Sequence, residues 1–160
     1  LYLAAALAGR PAVALCGVTM RDLLPLTIAD ERSLGTEPAL TVSEFARHGI
    51  PTIITSDDGS LGVAGLATEA LEQYLDRHPA DAAKSIIYTC GPEPMMKRVA
   101  TIAAERRIEC QIAVERNMAC GMGTCQSCVI RVRDGSAPAG WVYKLACRDG
   151  PVFRGDELMW

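Results

Sequence analysis

Cys120-Gly121-Met122-Gly123-Thr124-Cys125-Gln126-Ser127-Cys128, answered by Cys147, is where an α/β chain gives way to a ligand loop. Its C-x4-C-x2-C order with a distant fourth cysteine is the plant-type ligand spacing of a [2Fe-2S] cluster, not the C-x2-C-x2-C-x3-C-P run of bacterial ferredoxins. A site of that kind exchanges single electrons. Gly121 and Gly123 can take positive φ and turn backbone N–H groups inward, toward cluster sulfurs whose potential those donors tune. Two other readings stand beside it. A structural zinc site usually offers two C-x2-C-like pairs, and only Cys125 and Cys128 form one. Disulfides suit small secreted domains, whereas seven cysteines in 160 residues with no recognisable signal peptide point to a reducing compartment.

Composition sets bounds around this loop. A hydrophobic content of 49% supports a real core, in one domain or two small ones. A formal net charge of −3 argues against nucleic acid or an anionic membrane as the main partner, since both select a basic face. No apolar run reaches the length of a membrane span. Leu1 to Ala8 is apolar but short and lacks a basic leader. The chain begins with Leu1, and the expectation is a fragment whose N-terminal part is absent.

Working back from the cysteines, the chain reads as α/β. Tyr2 to Ala8 is expected as a helix ended by Gly9 and Pro11, and Ala12 to Val18 as a strand. Arg21 to Leu40 mixes charges, prolines and a glycine and reads as a loop region. Thr41 to His48 is expected as a helix with Thr41 or Ser43 near its cap, followed by the strand Pro51 to Ser56 and the turn Asp57-Asp58-Gly59-Ser60. Ala67 to Arg77 reads as helix, Ser85 to Thr89 as a buried strand, Glu93 to Arg107 as helix and Cys110 to Glu115 as strand. This alternation implies a parallel sheet. Beyond it, Val129 to Arg133 and Trp141 to Leu145 read as strands around an Asp134-Gly135 turn, the second delivering Cys147. Residues 1–114 are therefore expected to form a partial nucleotide-binding domain and residues 115–160 a small β-rich cluster domain. So short a segment cannot bury enough apolar surface alone, and a metal cluster would supply the cross-links.

Two loops of the α/β part have the marks of a nucleotide site. Thr55-Ser56-Asp57-Asp58-Gly59 and Cys90-Gly91-Pro92-Glu93-Pro94-Met95 both follow strands, and open parallel sheets bind ligands at the carboxyl ends of their strands. Gly91 permits close backbone approach, and Pro92 and Pro94 stiffen the start of a helix whose N-terminus carries partial positive charge. Asp57 and Asp58 would accept from ribose hydroxyls and repel a 2′-phosphate, favouring NAD over NADP. An ordinary strand-to-helix turn is the alternative.

These residues carry a family resemblance. Cys90-Gly-Pro-x-Pro-Met95 resembles the C-G-P-x-x-M motif of the ferredoxin-reductase superfamily, and Thr55 to Gly62 resembles a second motif of its nucleotide domain. With Glu115 to Cys128 and Tyr143 to Phe153, they are similar to the electron transfer subunit family of dihydroorotate dehydrogenase B. The resemblance implies a [2Fe-2S] cluster on Cys120, Cys125, Cys128 and Cys147, with Gly121 and Gly123 shaping the loop. It implies an NAD pocket shaped by Thr55, Asp57, Asp58, Gly59, Cys90, Gly91, Pro92 and Met95, with Cys90 near the nicotinamide and flavin rings. FAD would sit between NAD and the cluster, held mostly by an upstream flavin barrel. The implied partner is an FMN-containing dihydroorotate dehydrogenase catalytic subunit, in a cytoplasmic heterotetramer of pyrimidine biosynthesis, with this chain as its non-catalytic electron-transfer component. A related iron-sulfur flavoprotein reductase subunit, such as a hydrogenase-associated one, shares the same plan. A zinc-stabilised binding module and a self-contained NADH-dependent reductase are the readings from other classes.

Other residues have plainer readings. Cys16 and Cys110 lie in apolar strands and are expected in the core. His48 and His78 adjoin helix ends. Met118 and Met122 are expected to shield the cluster from water, and Trp141, Tyr143 and Phe153 to pack beneath it or form partner surface. The resemblance also implies that the first strand of the nucleotide domain lies outside this sequence, which leaves neighbouring strands with unpaired edges. The isolated chain is therefore expected to be poorly soluble; a soluble monomer with a cooperative thermal transition would contradict this.

Overall fold

The computed structural model describes residues 1–82 and 84–160, in two compact units, Leu1–His78 and Pro79–Trp160. The first unit runs α1 (Tyr2–Ala6), β1 (Ala14–Val18), α2 (Ser43–Ala46), β2 (Thr52–Ser56), β3 (Val63–Ala64) and α3 (Ala67–Arg77). Its sheet has the order β1-β2-β3 with both pairings parallel. All five residues of β2 are buried, as expected of a central strand covered on both faces. Gly17 lets the start of α3 approach β1: a Cβ there would lie 2.9 Å from the Ala67 Cβ and 3.1 Å from the Thr55 Oγ1.

The Ser56 side chain spans the turn between β2 and β3. The Ser56 hydroxyl donates to the Leu61 carbonyl at 2.7 Å and accepts from the Leu61 N–H at 2.9 Å. Gly62 is required, because its φ is +65° and a Cβ would fall 2.3 Å from the Ile54 carbonyl oxygen.

Arg21 to Leu40, the segment least readable from sequence, holds two 3-10 turns, Arg21–Leu23 and Glu31–Ser33. Leu24, Leu26, Ile28 and Leu34 pack against buried Val42, Ile54 and Leu61. Their order comes from tertiary contacts: Arg21 pairs with Glu31, and single bridges join Ile28 to Val42 and Ala39 to Thr52. The helix expected over Thr41 to His48 shrinks to Ser43–Ala46, and neither Thr41 nor Ser43 caps it. Thr41 is instead buried with an unpartnered hydroxyl, and the Glu44 carboxylate ties the segment by accepting the Thr27 N–H at 3.0 Å. Gly49, at φ +72°, ends the turn.

The second unit runs α4 (Pro79–Ala82), β4 (Ile86–Thr89), α5 (Glu93–Arg106), β5 (Glu109–Ala113), β6 (Val129–Arg133), β7 (Trp141–Leu145), α6 (Ala146–Asp149), β8 (Val152–Arg154) and β9 (Leu158–Met159). One sheet has the order β4-β5-β8, with β4 parallel and β8 antiparallel to β5. The other is antiparallel, β7-β6-β9. The fold is thus mixed α/β with parallel strands and a small β-rich region. The strand expected over Ser85 to Thr89 forms but is not buried: Ile86 and Tyr88 are 46% and 47% exposed, because β4 is an edge and one face stays open.

Among the elements the sequence reading lacks, β8 matters most for the second unit. It carries the chain from the cysteine-bearing segment back onto β5, with Ile112 opposite Phe153 and both buried. The Val114 N–H donates to the Pro151 carbonyl at 3.0 Å and closes the base of the excursion. Gly150 makes room for the anchoring ring, since a Cβ there would lie 2.3 Å from the Phe153 Cε2. Gly150→Ala is therefore expected to destabilise the protein by about 1–3 kcal/mol through overpacking, seen as a lower urea midpoint. An unchanged midpoint would mean that the ring moves aside freely.

Candidate metal centre

The β6–β7 ladder determines where two of the four cysteines meet. Val129 pairs with Leu145, so Cys128, just before β6, and Cys147, just after β7, emerge at the same end of the sheet. The Ala146 N–H donates to the Cys128 carbonyl at 3.1 Å, and the Cys147 N–H points at the Cys128 sulfur at 3.5 Å. Cys128 is buried, Cys120 and Cys147 are half-buried, and Cys125 is exposed.

Cys120 and Cys125 come together within the loop. Gly121 and Gly123 have φ of +67° and +88°, the left-handed turns that the sequence leads one to expect. Gln126 also takes positive φ, +59°, which its sequence does not signal. These turns aim the Cys125 N–H at the Cys120 sulfur, 3.4 Å away. The loop rests on α6, for a Cβ at Gly123 would lie 3.3 Å from the Arg148 Cδ and 3.4 Å from the Leu145 Cδ1.

Those donors change the thiols. The backbone N–H groups of Cys125 and then Met122 lower the Cys120 pKa to about 6, so the thiolate predominates at neutral pH. Cys125 is also lowered, chiefly by the Ser127 hydroxyl. Cys147 is raised, first by sharing a hydrogen bond with the Cys128 side chain and then by burial. Metal binding replaces such shared protons with metal–sulfur bonds. Among the described residues no group of three or more His, Cys, Asp or Glu closes on a single metal point. The thiols gather two by two, Cys120 with Cys125 and Cys128 with Cys147. The donor set fits a two-iron core, which takes two thiolates on each iron, and the inward N–H groups fit its negative charge.

Other expectations meet mixed geometry. Met118 and Met122, expected to shield the site, are 44% and 73% exposed. Trp141 and Tyr143 contact each other edge to face at 4.9 Å, while Phe153 serves the β5–β8 pairing. Cys110 is buried and Cys16 half-buried against the core, each pushed up to about 11 chiefly by burial.

In the first unit, Thr55 is fully buried and its Oγ1 has no partner, while Asp57, Asp58 and Gly59 are exposed after β2. Asp58 accepts from the Ser60 hydroxyl at 2.6 Å and the Ser60 N–H at 2.9 Å, contacts that hold the turn and lower its pKa. In the second unit, Cys90 follows β4, Gly91 has φ +150°, and Met95 folds back so that its Cε lies 2.6 Å from a Cβ built on Gly91. Pro92 caps α5 without a side-chain bond. Sequence reasoning misses Glu115, whose Oε1 lies 3.7 Å from the Cys90 Sγ, and Arg116, which pairs with Glu93 at 2.5 Å. It also misses Ser127, 3.1 Å from the Cys125 sulfur. Its place between two cysteines is the available signal, because serine commonly bonds the local backbone.

Fold and site together define an α/β protein bearing a thiolate loop built for an iron-sulfur cluster. Residues 115–159 match the iron-sulfur cluster binding domain of dihydroorotate dehydrogenase B. The dihydroorotate dehydrogenase B (NAD(+)) electron transfer subunit of Caldanaerobacter subterraneus subsp. tengcongensis is 38% identical over 107 residues, covering 67% of this chain and 40% of the relative. That of Geobacillus thermodenitrificans is 39% identical over 117 residues, covering 73% and 40%, respectively. That of Desulforamulus reducens is 31% identical over 131 residues, covering 82% and 45%. A solved structure of an NADH-dependent reduced ferredoxin-NADP oxidoreductase, described for flavin-based electron bifurcation, superposes with a TM-score of 0.70 at 28% identity, covering 99% of this chain and 48% of that one. The chain is thus similar to dihydroorotate dehydrogenase B electron transfer subunits, and its residues 115–159 match their cluster-binding domain. It spans less than half the length of these curated relatives.

The lowered Cys120 pKa has a measurable sign. In metal-free protein at pH 7, Cys120 is expected to be alkylated by iodoacetamide faster than Cys16 or Cys110, and its rate to fall as pH drops through about 6. Mass-mapped alkylation checks this; a Cys120 rate that already falls as pH drops from 9 to 7 would contradict it.

Proposed function

We propose that this chain is the cluster-bearing part of an electron transfer subunit that connects an FMN-containing dihydroorotate dehydrogenase subunit to NAD, in pyrimidine biosynthesis. The observation that carries the reading is the pairing of Cys120 with Cys125 and of Cys128 with Cys147 under inward backbone N–H groups. Cys120, Cys125, Cys128 and Cys147 would hold the cluster. When bound, a [2Fe-2S] cluster supplies one-electron exchange, which complements the two-electron chemistry of FAD and NAD. The chain's own part is to fix the thiolates, donate N–H bonds to them and keep the loop seated on α6.

Residues 1–114 serve in this reading as the NAD-binding part and residues 115–160 as the cluster part. Asp57, Asp58 and Gly59 would present the first nucleotide loop, and Cys90, Gly91, Pro92 and Met95 the second. Thr55, being buried, would support its loop from below. FAD belongs to the whole subunit. Among the described residues no helix is long and apolar enough to cross a membrane, and we place the heterotetramer in the cytoplasm. The likeness to the ferredoxin-NADP oxidoreductase structure favours a second reading, in which the same electron path serves a related iron-sulfur flavoprotein reductase.

Anaerobic reconstitution with ferrous iron and sulfide is expected to give visible absorbance and, after reduction, a rhombic EPR signal. Cys147→Ser should lose most of both. Stoichiometric zinc without iron in anaerobically purified protein would overturn the reading. Co-purification with an FMN-containing dihydroorotate dehydrogenase, and dihydroorotate-dependent bleaching of the cluster in that complex, would separate the first reading from the second.

A further inference from the structure

Ser127 lies between two of the cysteines, and its hydroxyl has three neighbours. The Oγ is 3.0 Å from the Asn117 carbonyl oxygen, 3.3 Å from the Ala119 nitrogen and 3.1 Å from the Cys125 sulfur. A hydroxyl has one proton to give and two lone pairs to accept with. The Ala119 N–H occupies one lone pair. The Asn117 carbonyl can only accept, so it competes with Cys125 for the single proton.

Coordination of Cys125 decides that competition. As a metal-bound thiolate, Cys125 has released its proton to solvent and can only accept. A 3.1 Å contact between an oxygen lone pair and a thiolate is repulsive, whereas an O–H pointed at the sulfur makes a charge-assisted bond stronger than one to a neutral carbonyl. Asn117 lies in the exposed segment before the loop, where water can satisfy its carbonyl.

We propose that Ser127 tunes the redox centre: its hydroxyl, shared between the Asn117 carbonyl and the Cys125 sulfur, donates to that sulfur in the assembled cluster, and the bond raises the reduction potential. This rests on the [2Fe-2S] reading above. The direction follows from charge, because reduction adds an electron to an already negative core and a donor on a ligand sulfur stabilises that form more. Ser127 keeps its proton throughout. It acts through Cys125, so it is a positioning residue.

The test is an EPR-monitored potentiometric titration of the reconstituted full chain as wild type, Ser127→Ala, Ser127→Thr and Ser127→Val. Threonine and valine have the same shape and differ by the hydroxyl. Ser127→Ala and Ser127→Val are expected to retain iron and sulfide but to show, at a fixed ambient potential, on the order of a tenfold lower ratio of reduced to oxidised centre, about 59 mV for a one-electron couple. Ser127→Thr is expected to titrate at the wild-type potential. Equal potentials in Ser127→Thr and Ser127→Val would overturn the proposal, and that comparison decides if Ser127→Ala fails to assemble. Loss of the cluster from both hydroxyl-free variants would reduce the hydroxyl to a folding contact and overturn it too. A wild type that takes up no iron and sulfide would instead overturn the cluster reading on which it stands.

Discussion

The return of β8 to β5 is the pairing on which the second unit depends. The chain leaves β5 after Ala113, makes its whole cysteine-bearing excursion, and comes back to place Phe153 opposite Ile112. Closing that excursion costs loop entropy once, at its base, and the buried Ile112–Phe153 pair with the Val114 to Pro151 hydrogen bond offsets the cost. With its ends fixed on a strand, the excursion needs little more than the β6–β7 ladder to set its interior. That ladder then places Cys128 and Cys147 at one end of a sheet.

Within the loop the governing effect is electrostatic. Left-handed turns at Gly121, Gly123 and Gln126 direct backbone N–H groups inward, and sulfur is the acceptor they find. The thiols respond unequally: Cys120 and Cys125 are lowered by N–H and hydroxyl donors, while Cys147 is raised by a proton shared with Cys128. Cys120 is thus poised as thiolate, and the proton that Cys147 shares is displaced when metal binds. A fold with so little buried area around the site draws part of its rigidity from what the thiols hold.

Legibility tracked the range of the interactions involved. Ala67–Arg77, Val129–Arg133 and Trp141–Leu145 form where their periodicity places them, because a local pattern of apolar faces suffices. Thr41 to His48 carries a helical pattern but forms only four residues of helix, since its ends are held by Glu44 and Gly49 rather than by its own serine and threonine. Leu24, Leu26 and Ile28 alternate as a strand would, yet single bridges, the Glu44 carboxylate on the Thr27 N–H and a shared core with Val42 and Ile54 order them instead. β8 escaped notice because three residues carry too little pattern to reveal a partner on β5.

By itself the sequence determined the cluster spacing, the alternating strands and helices, and the glycines that bend the ligand loop, because each is a property of neighbouring residues. Tertiary structure decided how the thiols pair, which strand closes the cysteine-bearing excursion, and that the Ser127 hydroxyl stands on the Cys125 sulfur. Those are facts of register and distance between residues far apart or turned by unexpected φ values. Residue spacing names the possible donors, but only the folded backbone fixes which of them reach one another.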